Sequence, residues 1–140
     1  MKKKKIVMAL LLAVAMCATN VGFIAPMECK ASMIQPMWAN TSSVSVGLSF
    51  SGTQANCSTI IQGAAGTSKI TATIRLERKT GTNSYTTVKT WSNESTTSAR
   101  LIFADSYTVS TGYTYRLTVT ANVTRNGTTE TVTNWIERVN

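Results

Sequence analysis

Residues 112–123, with the sequence GYTYRLTVTANV, alternate between two sets of side chains with hardly a break. The mainly apolar set is Tyr113, Tyr115, Leu117, Val119, Ala121 and Val123, and the polar set is Thr114, Arg116, Thr118, Thr120 and Asn122. Successive side chains of an extended strand point to opposite faces, so a period of two predicts a strand with one buried and one solvated face. Such strands are typical of antiparallel sheets. The segment therefore limits the chain to an antiparallel β fold and leaves its chemistry open.

Six further segments show strand-like alternation, and turns rich in Gly, Asn and Ser separate them. They cover residues 44–50, 55–62, 70–79, 85–91 and 129–138, with a short segment around Leu101 and Phe103. The Asn126-Gly127 pair before the last strand favours a tight hairpin turn. Seven short strands in about 100 residues predict an all-β, antiparallel two-sheet sandwich, with an open barrel as the competing architecture.

The sequence of residues 1–31 predicts a secretory signal peptide. We expect this segment to be helical and to lie outside the folded domain. Four lysines at positions 2–5 precede an uncharged apolar core at residues 6–18. We expect cleavage after Ala31; the alternatives are cleavage after Ala18, a lipoprotein modified at Cys17, or an uncleaved membrane anchor. The apolar core is shorter than the roughly 20 residues that a membrane-spanning helix needs. The prediction is a secreted protein without stable membrane insertion, divided into the signal peptide, an N-terminal extension at residues 32–41 and a β-sandwich domain at residues 42–140.

The charge of the chain belongs partly to its leader. The full chain has a formal net charge of +8, and removal of residues 1–31 takes away five lysines and Glu28, which leaves +4. The remaining Lys and Arg residues are scattered, whereas a nucleic-acid-binding protein usually concentrates them. We therefore expect no nucleic-acid partner and at most a modest attraction to anionic cell-wall polymers or membrane surfaces.

Of the three cysteines, only Cys57 follows Ala31. A disulfide within one mature chain is then impossible, and we expect Cys57 to be a small buried residue on a strand. The alternatives are an intermolecular disulfide, or a Cys29–Cys57 bridge if cleavage occurs earlier.

The residue inventory argues against catalysis. The chain has no histidine, which is the commonest general base and metal ligand. Asp105 is the only aspartate and is predicted to lie in a turn, and the glutamates after residue 31 (Glu77, Glu94, Glu130 and Glu137) lie next to predicted turns, on solvated faces or near the C-terminus. No visible pair of carboxylates suits a glycosidase, and no cluster of oxygen ligands suits calcium. We therefore expect no enzyme activity, no metal site and no cofactor.

The sixth strand resembles a known family. Tyr115-x-Leu117-x-Val119-x-Ala121 follows a turn that contains Gly and precedes a hairpin, like the penultimate strand of fibronectin type III and related immunoglobulin-like domains. The resemblance implies that Tyr113 or Tyr115 hydrogen-bonds back across a corner, and that the third, sixth and seventh strands share one sheet. The layout, with its leader and residues 35–38 (QPMW), is also similar to small exported proteins of unknown function from Gram-positive bacteria, which implies location but no activity.

One set of outward-facing residues is a candidate contact face. If Val132 and Ile136 point inward, Trp135 lies on the outer face of the predicted sheet. Its neighbours there are Thr133, Thr118, Arg116 and Arg75. An exposed Trp among Thr and Arg can stack on a sugar or anchor a protein partner. The alternative is an arginine that stacks on Trp135 and merely covers the sheet.

These features predict a small, non-catalytic extracellular binding or adhesion module for a cell-surface glycan or protein. A secreted structural protein that self-associates through uncharged, Thr-rich edges is a second hypothesis, because residues 32–140 contain 23 Thr and 14 Ser. A small secreted effector or antimicrobial protein is a third, favoured by size, export and mild positive charge.

Overall fold

The alternating segments form seven strands in the computed structural model, which describes residues 37–140. The strands are β1 (Thr41–Ser51), β2 (Gln54–Gly63), β3 (Thr67–Lys79), β4 (Tyr85–Thr96), β5 (Arg100–Thr108), β6 (Thr114–Arg125) and β7 (Thr128–Val139). Within this part of the chain, no helix has the length and apolar character needed to span a membrane. The predicted signal peptide, its cleavage after Ala31 and the alternatives at Cys17 and Cys29 lie outside the described residues.

The strands form two antiparallel sheets. One has the order β1-β2-β5 and the other the order β4-β3-β6-β7. The predicted all-β two-sheet sandwich is therefore confirmed, and β3, β6 and β7 share one sheet as the family resemblance implied. The architecture is consistent with an immunoglobulin-like fold.

The inner face of β6 is the centre of the core. Its inward residues Tyr115, Leu117, Val119, Ala121 and Val123 are each at most 1% exposed, as their alternation predicted. Burial of a side chain such as leucine or valine contributes roughly 1.5–3 kcal/mol relative to leaving it in water.

Tyr113 departs from the predicted apolar set. It lies before the start of β6, its side chain is 45% exposed, and the Arg78 guanidinium carbon is 4.8 Å from its ring centroid. The alternation therefore becomes regular only once the strand begins to pair.

Tyr115 supplies the predicted corner bond. Its hydroxyl donates to the backbone carbonyl of Ser110, five residues earlier, at 2.8 Å. The ring packs against Phe50 of the other sheet, with 5.7 Å between ring centroids. A buried tyrosine hydroxyl needs such a partner, so this bond satisfies the polar end of a large core residue.

Glu130 on β7 holds the entry to β1. Its carboxylate accepts the backbone N–H groups of Ala39 and Asn40 at 2.7 and 2.9 Å and the Thr41 hydroxyl at 2.9 Å. Burial works to raise the pKa of Glu130, but these hydrogen bonds outweigh it and hold the pKa below its ordinary value. The start of the fold is thus tied to the β6–β7 hairpin.

β4 is longer than the sequence predicted, because it continues past Trp91 to Thr96. The β3–β4 register shifts between Ala72 and Ile74, where β4 carries an extra residue, and Asn93 there has a φ of 65°. Such a bulge breaks the period of two that sequence reasoning follows.

Asp105 lies within β5, so its predicted turn position is wrong. Its carboxylate accepts the backbone N–H of Ser106 at 2.8 Å and the indole N–H of Trp91 at 2.6 Å. These two bonds, the Ser106 bond first, lower the pKa of Asp105. The carboxylate thereby links the β4 and β5 edges of the two sheets.

Cys57 is buried, with 2% of its surface exposed, as predicted. Burial, with a smaller contribution from the negative charge of Asp105, raises the pKa of its thiol to about 12.

Candidate functional site

The predicted contact residues lie together on the outer face of the four-stranded sheet. Strand register places Arg75, Thr118 and Trp135 side by side across β3, β6 and β7. Thr133 is two residues from Trp135 on β7, and Arg116 is two residues from Thr118 on β6. We call these five residues the Trp135 face.

Trp135 is the aromatic residue of this face, and it is 57% exposed. Val132 is 2% exposed and Ile136 packs against the core, so the odd-numbered residues Thr133 and Trp135 point outward as predicted. Asn134 holds the strand between them: its amide N–H donates to the Val44 carbonyl of β1 at 2.8 Å, and its side-chain oxygen accepts the Trp135 N–H at 2.9 Å. These two hydrogen bonds hold the β7 backbone next to Trp135, so its indole projects from a fixed position.

Arg75 lies on β3, which is separated from β7 by β6, and its cross-strand neighbours are Thr90 and Thr118. Its side chain is exposed. Within residues 37–140 it forms no salt bridge and no side-chain hydrogen bond, unlike the other arginine of the Trp135 face.

Arg116 and Thr118 use their polar atoms within the protein. Both donate to the same Glu77 oxygen, Arg116 through Nε at 3.0 Å and Thr118 through its hydroxyl at 2.8 Å. The Arg116 guanidinium carbon also lies 3.6 Å from the Tyr85 ring centroid, and Thr118 is only 8% exposed. The two side chains thus support the face, while Trp135, Thr133 and Arg75 form its exposed part.

The arginine stack that the sequence suggested over Trp135 occurs over Tyr85 instead. Among the described residues, every cation–π contact involves another aromatic ring: Tyr85, Trp91, Tyr107 or Tyr113. The outer surface of the indole is consequently left uncovered by any cation of the described chain.

Glu77 is the residue that sequence reasoning missed. It points to the outer face as predicted, yet only 7% of its surface is exposed, because Arg116 and Thr118 close over it. A signal was present in the charges at outward positions of three strands. The strand register aligns Glu77, Arg116 and Glu137 in one row, in which the positive Arg116 lies between two negative side chains.

Glu137 completes this row with two further bonds. It accepts the Tyr85 hydroxyl at 2.6 Å and the Lys79 ammonium at 3.0 Å. The Tyr85 bond, followed by the Lys79 bond, lowers the pKa of Glu137, and the pKa values of Tyr85 and Lys79 are raised by their bonds to the same carboxylate. We call Glu77, Arg116, Tyr85, Glu137 and Lys79 the charged cluster.

Two shallow grooves lie away from the Trp135 face. One, of about 540 Å³, crosses the three-stranded sheet and is lined largely by small residues such as Gly47, Ser58 and Ala104. The other, of about 480 Å³, lies near Tyr107 and Tyr115. The first has no aromatic lining residue, so it offers a ligand far less apolar contact area than an exposed indole does.

The described residues contain no group of three Cys, Asp or Glu side chains placed to hold a metal ion. Comparisons with protein-family models, with curated proteins and with solved structures find no match. The arrangement itself offers one chemical capability, which is a fixed aromatic surface bordered by hydroxyl groups and a cation.

Proposed function

We propose that this chain is a non-catalytic extracellular module that binds a cell-surface glycan through the Trp135 face. The observation that carries the proposal is the 57% exposure of Trp135 on a strand held in place by Asn134. The export pattern of residues 1–31 supports an extracellular and bacterial setting. The Tyr115 corner bond and the grouping of β3, β6 and β7 support a fibronectin type III-like identity for the sandwich.

The surroundings of Trp135 favour a sugar over a protein partner. A stable protein–protein interface buries roughly 800 Å² on each side and has an apolar centre. Here one indole is bordered by Thr133, whose hydroxyl lies 3.5 Å from that of Thr120, and by the charged cluster. A single flat apolar surface with hydroxyl groups beside it matches the alternating apolar and polar surface of a sugar ring.

The bonding of four of the five Asp and Glu side chains in residues 37–140 supports a non-catalytic role; the fifth, Glu94, lies half-buried on β4. Glu77, Asp105, Glu130 and Glu137 each accept at least two hydrogen bonds from the protein. These bonds hold the carboxylates as structural links between strands.

Self-association through β5 is a second candidate function. β5 is an edge of the three-stranded sheet, has no lysine or proline, and exposes 66% of Ile102 beside Ile60. Arg100 and Asp105 are its charged side chains, and an edge with so few of them can pair with another chain. Sedimentation equilibrium tests it: concentration-dependent association that Ile102→Lys abolishes is expected, and a wild-type protein that stays monomeric at high concentration contradicts it.

The glycan proposal is tested by binding of the purified protein to bacterial cell-wall preparations. We expect Trp135→Ala to lose most of the binding and Trp135→Phe to retain part of it, because phenylalanine keeps an aromatic surface. Tyr113→Ala removes an exposed aromatic side chain that lies outside the Trp135 face and is the matched control. A folded Trp135→Ala protein with undiminished binding, or binding that survives removal of the glycans but not of the wall proteins, contradicts the proposal.

A further inference from the structure

We propose that the ligand of the Trp135 face is an acidic glycan, whose carboxylate or phosphate group is recognised by Arg75. This inference rests on the proposed function and specifies its ligand class. It starts from the charges on the outer surface of the four-stranded sheet.

The acidic side chains near Arg75 are committed to other cations. Glu77 lies two residues along β3 on the same face, but it pairs with Arg116 at 3.0 Å. Glu137 pairs with Lys79 at 3.0 Å. Within residues 37–140 the charged cluster is therefore internally paired, and Arg75 is left as a cation without an acidic partner.

The cross-strand neighbours of Arg75 are also uncharged. Thr90 and Thr118 flank it across the strands, and the Thr118 hydroxyl already donates to Glu77. A guanidinium group carries five N–H donors and no acceptor. Its planar fork matches the two oxygens of a carboxylate or phosphate, so an anionic group is the partner that this exposed arginine suits best.

Arg75 and Trp135 are close enough for one ligand to contact both with its anionic group and its sugar ring. Arg75 and Trp135 share a row and are separated by Thr118 alone, which is two strand spacings or about 10 Å. The arginine side chain is long enough to reach along the row toward the indole. A sugar ring stacked on Trp135 would thus present a charged substituent, or that of the next ring, to Arg75.

The experiment measures affinity for matched charged and neutral polymers. Oligogalacturonate supplies carboxylates, and its fully methyl-esterified form has the same rings without charge. A glucosylated glycerol-phosphate polymer supplies phosphate, with an uncharged glucan as its neutral counterpart. The purified protein is titrated with each probe at low and high salt, beside the variants Arg75→Gln, Trp135→Ala and Arg100→Gln. Arg100 is an exposed arginine on β5 of the other sheet and serves as the matched control.

We expect the protein to bind at least one acidic polymer more tightly than its neutral counterpart, with the preference weakened by salt. Arg75→Gln should lower affinity for that polymer roughly threefold to tenfold and leave the neutral one unaffected. Arg100→Gln should change neither. Preference for oligogalacturonate identifies a carboxylate and preference for the phosphate polymer a phosphate, and either supports the inference.

Equal affinity for charged and neutral forms, or a charge preference that persists in Arg75→Gln, overturns the inference. So does failure to bind either acidic polymer. If Trp135 is still required for binding to cell walls in those cases, the proposed function stands and only the ligand class is wrong. If Trp135→Ala leaves wall binding intact, the proposed function itself fails.

Discussion

Replacing Glu77 by glutamine removes the carboxylate to which Arg116 and Thr118 both donate. Glutamine is nearly the same size and can still accept a hydrogen bond from Thr118, so the substitution chiefly deletes the negative charge. The Arg116 guanidinium then remains against the Tyr85 ring, 3.6 Å from its centroid, without the carboxylate it is paired with, and its cross-strand neighbour Glu137 is the negative charge that stays beside it.

The expected loss of stability depends on how exposed the Glu77–Arg116 pair is. The side chains of Glu77 and Arg116 are 10% and 25% exposed. Exposed pairs contribute about 0.2–1 kcal/mol, whereas removing one partner of a fully buried pair costs about 3–5 kcal/mol. An intermediate value of about 2 kcal/mol is therefore expected for Glu77→Gln. For a domain of about 100 residues, this corresponds to a fall in Tm of roughly 8 °C.

Urea and thermal unfolding measure this loss, with Glu94→Gln as the matched control. Glu94 is half-buried on β4, and among the described residues it makes no salt bridge. Its substitution should change stability by less than about 0.5 kcal/mol. A double-mutant cycle with Arg116→Gln should also give a coupling of about 1 kcal/mol, because both substitutions remove the same ion pair. If Glu77→Gln is no more destabilising than Glu94→Gln, or the coupling is zero, the reasoning about the charged cluster is refuted.

Three further outcomes follow from the contacts of the core and the cluster. Tyr115→Phe removes the corner hydrogen bond and should lower the free energy of unfolding by about 1 kcal/mol; the loss is no larger because the exposed Ser110 carbonyl can bind water instead. Unchanged stability to urea would show that the corner bond contributes nothing. Stability should be present above about pH 4.5 and fall as acid protonates Glu137 through its lowered pKa, and it should be present below about pH 10 and fall as base deprotonates Tyr85 through its raised pKa. Glu137→Gln should weaken both arms of the urea-midpoint profile, and an identical profile would count against the Tyr85–Glu137 bond. Because its pKa is about 12, the Cys57 thiol should resist iodoacetamide in the native protein and react in urea; rapid modification of the native protein would contradict its burial.

Local alternation, together with the turn residues that separate the strands, predicted the two-sheet sandwich, with an open barrel as the alternative. Leu117 and Val119 are buried because a strand with a period of two has one apolar side, and this holds whichever strands become its neighbours. The same reasoning missed the end of β4, because the bulge near Asn93 inserts a residue and resets the alternation. It also placed Asp105 in a turn, since a charged residue among polar ones gives no sign of a partner such as Trp91 on another strand.

In the candidate site, too, local alternation predicts which way a side chain points but not which residues it contacts on other strands. The outward direction of Trp135 and Thr133 follows from alternation with Val132. The use of Arg116 and Thr118 as supports depends on which residue of β3 lies opposite each residue of β6, and a single sequence does not specify that register. Glu77 thus looked like an ordinary solvated glutamate until its cross-strand neighbours were known.

The most direct test of the central claim is NMR chemical-shift mapping of the labelled protein as solubilised cell-wall glycan is added. The largest shifts are expected at the Trp135 indole N–H, the Arg75 side chain and the backbone amide of Thr133, all on the outer face of the four-stranded sheet. Shifts centred instead on Gly47 and Ser58, in the groove of the other sheet, would contradict the assignment of binding to the Trp135 face.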